Sequence, residues 1–114
     1  KIQCAIPADL TVSESDLCVL LSNALENALH ACVPLAAEGR SCEIDVNFYE
    51  RNKHLFLQVV NDCKAHIKFQ NGIPVSDMEG HGIGVQSICA IVQRYGGVFS
   101  FVEKDGKFTL RLSL

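Results

Sequence analysis

Gly80-His81-Gly82-Ile83-Gly84 runs straight into an apolar-periodic stretch from Val85 to Tyr95. Glycines at alternate positions leave backbone N–H groups bare and let a phosphate approach the main chain without meeting a Cβ. A helix starting there adds roughly half a unit of positive charge at its N-terminus. Glycine-rich turns before helices also serve simply as caps, so this segment gains meaning from a second one, Asn23-Ala24-Leu25-Glu26-Asn27. Asn23, Glu26, Asn27 and His30 stand at i, i+3, i+4 and i+7 and form one helical stripe beside a leucine face. Polar groups at such a border cost about 1–3 kcal/mol each if buried without partners. They are either the solvated flank of an amphipathic helix or a row of oxygens that can hold magnesium and the phosphates it bridges. Magnesium takes few protein oxygens and completes its shell with water and phosphate; an Asn carbonyl with a carboxylate nearby suits it.

Val59-Val60-Asn61-Asp62 supplies a third element. Alternation places Asn61 on the side of Leu55, Leu57 and Val59, and Asp62 on the side of Phe56, Gln58 and Val60. A carboxamide at the rim of an apolar core can accept from the exocyclic amine of adenine and donate to a ring nitrogen. Asn is equally a common strand-end turn residue.

The elements that must position these groups follow from periodicity. Residues 1–7 alternate, with Ile2, Cys4 and Ile6 on one side, and Pro7 closes that strand. Ser13 and Asp16 have capping-box spacing; Leu17, Leu20, Leu21, Ala24 and Ala28 then recur at helical spacing to about Ala31, and Pro34 marks the end. Cys42, Ile44, Val46 and Phe48 alternate with Glu43, Asp45, Asn47 and Tyr49, and Asn52-Lys53 is a hairpin turn into a strand over 54–61. Residues 62–81 have no periodicity and are expected to form a structureless polar loop, which at that length is usually functional or disordered. After the second helix, Gly96-Gly97 is a C-cap. A strand over 98–103, an Asp105-Gly106 turn and a last strand with Phe108, Leu110, Leu112 and Leu114 on one face complete the chain, leaving Thr109, Arg111 and Ser113 on the other. Strands apolar on one face only need cover on that face. The expected fold is therefore α/β (α+β): a two-layer sandwich with a mixed, mostly antiparallel sheet of about five strands under the helices.

A length of 114 residues suits one domain, 1–114, and a start at Lys1 suits a piece of a larger protein. A net charge of −3, no basic run and few aromatics argue against a nucleic-acid surface. No stretch of about 18 residues is free of polar groups, so no membrane span is expected. The six cysteines, Cys4, Cys18, Cys32, Cys42, Cys63 and Cys89, form no CxxC pair. They are expected to be free thiols acting as small hydrophobes in a reducing compartment. Cys63, His66 and His81 lack metal-ligand spacing.

Leu21-Ser22-Asn23-Ala24-Leu25-Glu26-Asn27-Ala28 resembles the N-box of the GHKL ATPase superfamily. Gly80-His81-Gly82-Ile83-Gly84-Val85, with Ile91-Val92 and Tyr95-Gly96-Gly97 behind it, resembles the G2 box of sensor histidine kinases, and Asp105-Gly106-Lys107-Phe108-Thr109-Leu110 their final hairpin. The likeness covers essentially the whole chain in order, and its wording is most similar to the quorum- or peptide-sensing membrane kinases of Firmicutes-type bacteria. It implies a Bergerat-fold catalytic domain that binds Mg·ATP and phosphorylates a histidine on a separate dimerisation domain of the same protein, serving a response regulator indirectly. By the same resemblance, the parent protein is a membrane-anchored homodimer and this domain is cytoplasmic. Asn27 and Asn23 are implied as the magnesium ligands. Nucleotide contacts are implied for Asn23, Asn27, His30, Asn61, Gly80, His81, Gly82, Ile83, Gly84, Val85 and Thr109, with residues 62–81 as the lid.

Hydrolytic members of the superfamily carry an acid at the first N-box position; this chain carries Asn23. An amide cannot accept a proton at neutral pH, so water is poorly activated there. That favours a kinase, with Glu26 placed to assist the attacking imidazole as the second catalytic residue. The G1 box of the family reads DxGxG, whereas this chain has Asn61-Asp62-Cys63-Lys64-Ala65, without either glycine. Lys64 or Lys68 could neutralise phosphate charge, or be ordinary loop lysines. Two other readings remain: a degenerate GHKL module that signals by contact, and a stand-alone GHKL ATPase or serine kinase.

Overall fold

Turn chemistry sets the hairpins of the chain. The computed structural model describes residues 1–4, 12–64, 67–75 and 83–114. Its elements are β1 (Ile2–Cys4), α1 (Glu14–Ala37), β2 (Ile44–Arg51), β3 (His54–Asp62), β4 (Phe69–Gln70), β5 (Ile73–Pro74), α2 (Ile83–Arg94), β6 (Val98–Lys104) and β7 (Lys107–Ser113). Asn52 and Lys53 (φ 53° and 65°) join β2 to β3, and Asp105 and Gly106 (φ 52° and 79°) join β6 to β7. Two consecutive left-handed residues give the twist that adjacent antiparallel strands need. The main sheet has the order β1-β2-β3-β7-β6, with β1 parallel to β2 and every other pair antiparallel.

One face of that sheet is apolar and covered. Val46, Phe48, Leu55, Leu57, Val59, Phe101, Phe108, Leu110 and Leu112 meet Leu17, Leu20, Ala24 and Ala28 of α1 and Val85, Ile88, Cys89, Ile91 and Val92 of α2 in one core. This is the two-layer sandwich that one-sided strands require. The opposite face is more polar, with Arg111 Nε donating to Gln58 Oε1 at 2.8 Å and Tyr49 stacked on Phe56 at 5.2 Å.

Pro34 does not end α1 as its lack of an N–H suggests. The helix continues to Ala37 because Leu35, buried in the interior, anchors its last turn. The true stop is Gly39 (φ 73°): its N–H donates to the Ala36 carbonyl at 3.0 Å and that of Arg40 to the Leu35 carbonyl at 2.9 Å, a Schellman cap. By length and composition alone α1 also meets the measure of a membrane-crossing helix, as core helices do. In this fold it is the helix that covers the sheet.

At its other end Ser13 caps α1, its Oγ accepting from the Asp16 N–H at 3.1 Å. The capping box is closed by a third residue. The Ser13 N–H donates to the Tyr95 hydroxyl oxygen at 3.1 Å, and that hydroxyl donates to Asp16 Oδ2 at 2.6 Å. Arg94 Nη1 donates to Asp16 Oδ1 at 2.8 Å. The start of α1 is thereby clamped to the end of α2, and Tyr95 with Arg94 holds the Asp16 carboxyl below its usual range. Immediately afterwards the chain turns at Gly97, where a Cβ would overlap the Ser113 carbonyl oxygen.

Two further expectations are corrected. The segment 62–81 is not without structure: β4 and β5 form a small hairpin around Asn71 and Gly72 (φ 54° and 76°), a turn signal present in the sequence. Nor are all the cysteines free. Cys32 and Cys42 form a disulfide: after the Gly39 cap the chain turns back beside α1, and their Cα atoms lie 5.5 Å apart. Among the described residues Cys18 is exposed and free, while Cys63 and Cys89 are buried and free.

Candidate functional site

The polar stripe of α1 lies where the helix turns from the core toward solvent. Ala24 and Ala28 are buried; Asn23 and Asn27 beside them are half-buried; Glu26 and His30 are exposed. Alanines at i and i+4 keep this part of α1 slim, so α2 packs close alongside. The two helices touch at the start of α2, where a Cβ on Gly84 would sit 3.3 Å from Asn23 Oδ1. The residue type at 84 therefore provides room for the Asn23 carboxamide.

The first amides of α2 have no acceptor within the helix and carry its positive end. An oxygen-bearing stripe on α1 thus borders a helix terminus that attracts anions. Val85 turns its side chain into the core, so from that residue only the backbone can serve a ligand. Gly80, His81 and Gly82 lie outside the described residues, as do His66 and residues 76–79 of the expected lid. Ile83 opens α2.

Asn61 is the one buried polar residue among those described, 1% exposed. It faces the core from the end of β3, between Ile44 on β2 and Phe108 on β7. Its Nδ2 donates to the Asp62 carbonyl at 3.0 Å, which orients the amide without consuming all its hydrogen-bonding capacity. Asp62 itself is committed elsewhere. Its Oδ2 accepts from the Glu43 N–H at 2.8 Å and its Oδ1 pairs with Lys107 at 2.5 Å. Lys107 first and the Glu43 amide second hold the Asp62 carboxyl below the usual range; Asp62 in return pushes Lys107 up. This acid pins the strand end to its two neighbours.

Alternation does not bring Thr109 to the others. Paired with Val60 and Val102, it lies on the sheet face away from the helices, because Phe108 and Leu110 on either side of it point into the core. Lys64 is likewise occupied, paired with Glu38 at the C-cap of α1, which lowers the Glu38 carboxyl. Sequence reasoning missed Phe69 on β4. Its ring lies nearly parallel to that of Phe108, 6.3 Å between centroids and 15° between planes, so an aromatic pair stands beside the strand that carries Asn61. The Asn71-Gly72 turn signal was the available hint.

These residues fit a magnesium-bound nucleoside phosphate. Carboxamide oxygens are ligands of the type a hard cation accepts, the helix start favours phosphate, and a buried amide beside aromatic rings suits a base.

A family model described as a GHKL domain matches residues 12–114. Comparison with curated proteins found no match. Among solved structures, the nucleotide-free catalytic domain of histidine kinase ThkA aligns over 99% of this chain and 74% of its own, with a TM-score of 0.71 at 14% identity. The histidine kinase domain of the Erythrobacter litoralis EL346 blue-light activated kinase aligns over 99% and 49%, with a TM-score of 0.70 at 16% identity. Acinetobacter baumannii histidine kinase AdeS aligns over 100% and 52%, with a TM-score of 0.70 at 9% identity. The chain spans about half the length of the latter two. At these identities the likeness concerns the fold.

Proposed function

The chain belongs to the GHKL domain family, and from that premise we propose that it is the ATP-binding catalytic domain of a sensor histidine kinase. Its task is to present the γ-phosphate of Mg·ATP to a histidine on a separate dimerisation domain. The observation that carries this reading is the Asn23 carboxamide set against Gly84 at the opening of α2. An acid at that position would take a proton from water. The amide can orient and coordinate but cannot do so, which leaves the phosphate for an incoming imidazole.

In this reading Asn27, helped by Asn23, would hold magnesium, and Asn61 would read the adenine edge. Held there, magnesium would supply positive charge to the phosphate oxygens of the nucleotide. The start of α2 draws the phosphates to the main chain, and exposed Glu26 is placed to accept a proton from the attacking imidazole. Transfer of this kind rests on positioning and electrostatics rather than covalent work by the protein. By the same reading the parent protein is a membrane-anchored bacterial homodimer with this domain on the cytoplasmic side, passing phosphate on to a response regulator.

Calorimetric titration with a non-hydrolysable ATP analogue, with and without magnesium and alongside GTP, tests the proposal. Adenine-selective, magnesium-assisted binding with a Kd below about a millimolar, or roughly −4 kcal/mol, is expected. No binding at millimolar nucleotide overturns it in favour of a module that signals by contact.

A further inference from the structure

The Cys32–Cys42 disulfide lies beside both parts of the site. Cys32 follows Asn27 and His30 on α1, and Cys42 precedes the residue whose N–H holds the Asp62 carboxylate. Both cysteines are half-buried, so a reductant can reach them. The Cys42 sulfur, which carries no hydrogen in the disulfide, lies 3.5 Å from the Asp62 carbonyl oxygen. That same carbonyl accepts the Nδ2–H of Asn61. One covalent bond therefore joins the helix bearing Asn23 and Asn27 to the segment leading into β2, which in turn touches the β3 end bearing Asn61. By contrast, burial pushes the free thiols of Cys63 and Cys89 up, away from the reactive thiolate form.

We propose that Cys32–Cys42 is a reversible redox tie whose opening shifts the Asn61 carboxamide and weakens nucleotide binding; this rests on the nucleotide-binding reading above. The reductant is a dithiol. Its thiolate attacks one sulfur of the pair and the S–S bond breaks. Its second thiolate then displaces the mixed disulfide, so the dithiol leaves as a cyclic disulfide and both cysteines are released as thiols, two electrons and two protons having been transferred. The new Cys42 thiol faces the Asp62 carbonyl and can donate to it, competing with Asn61. At the same time the C-terminal part of α1 and the entry to β2 become free to move separately, and a less preorganised site binds more weakly.

The test compares the oxidised protein, the protein reduced with dithiothreitol, and the C32S/C42S variant, with the disulfide verified by thiol alkylation and mass spectrometry. Two quantities are read: the Asn61 side-chain amide resonances by NMR, and the affinity for a non-hydrolysable ATP analogue. Reduction is expected to move the Asn61 resonances and lower affinity about threefold to tenfold, reversibly on reoxidation. The double variant should match the reduced state and ignore dithiothreitol. Failure of the pair to form under oxidising conditions, unmoved Asn61 resonances, or affinities equal within a factor of two overturn the tie. Moved resonances with no nucleotide binding in either state keep the tie and sink the nucleotide reading instead.

Discussion

Asn23 Oδ1 lies 3.3 Å from the place a Cβ on Gly84 would occupy, which makes the glycine a spacer for the amide across two helices. Gly84→Ala should push the Asn23 carboxamide aside and weaken nucleotide binding about fivefold. Stability should hold or rise by up to ~1 kcal/mol, since alanine favours helix. Paired calorimetry and thermal melts check this; a variant that loses stability and affinity together would mean Gly84 matters for folding alone.

Asn27→Ala should abolish the magnesium dependence of binding while leaving weak metal-free binding in place. Titrations across a magnesium series decide it. Unchanged dependence refutes Asn27 as a ligand.

Asn23→Asp puts a proton acceptor where the amide now stands. Release of inorganic phosphate from ATP, without any acceptor domain, should rise at least about tenfold, a floor set below the ~10²–10⁴-fold that a well-positioned base contributes. A flat assay would show that the missing acid is not what restrains hydrolysis.

Asn61→Ala should lower affinity for ATP about tenfold and leave the weaker affinity for GTP nearly unchanged. Losing one polar contact of this kind is worth roughly 1–1.5 kcal/mol. Equal losses for both nucleotides would remove Asn61 from the base site.

Asp16 and Asp62 both have carboxyls held below their usual range in the folded chain, by Tyr95 and by Lys107 respectively. Depressed folded values mean that their contributions are complete above about pH 4, the unfolded carboxyl value, and are lost as pH falls further toward the folded ones. Lys107, raised by Asp62, contributes up to about pH 10 and loses that contribution as pH rises through its folded value. Urea midpoints should therefore fall below pH 4, and Asp62→Asn should flatten part of that fall. A midpoint indifferent to pH between 3 and 6 would contradict both clamps.

Much of this was legible residue by residue. Alternation in β2, β3 and β7 told which side chains enter the core, including Asn61, and two-residue turn signals located both main-sheet hairpins. The N-box spacing told that Asn23 and Asn27 share a stripe. The end of α1 was misread because Pro34 is a strong local stop that a buried Leu35 overrides, while Gly39 carries the cap. Thr109 shows the converse: its face was readable from its neighbours, and alternation outweighs its place in the closing hairpin.

The sequence by itself determined local periods, turns and the order of elements, because these depend on steric preferences within a few residues. Only the tertiary structure decided which distant groups meet. Gly84 reaches Asn23 because Ala24 and Ala28 let two helices approach. Tyr95 closes the cap of Ser13, and Lys64 is taken by Glu38, through contacts between separate elements. Cys32 meets Cys42 because the chain turns back beside α1 after the Gly39 cap. Such pairings depend on the volume and shape of the shared core, which no single segment encodes.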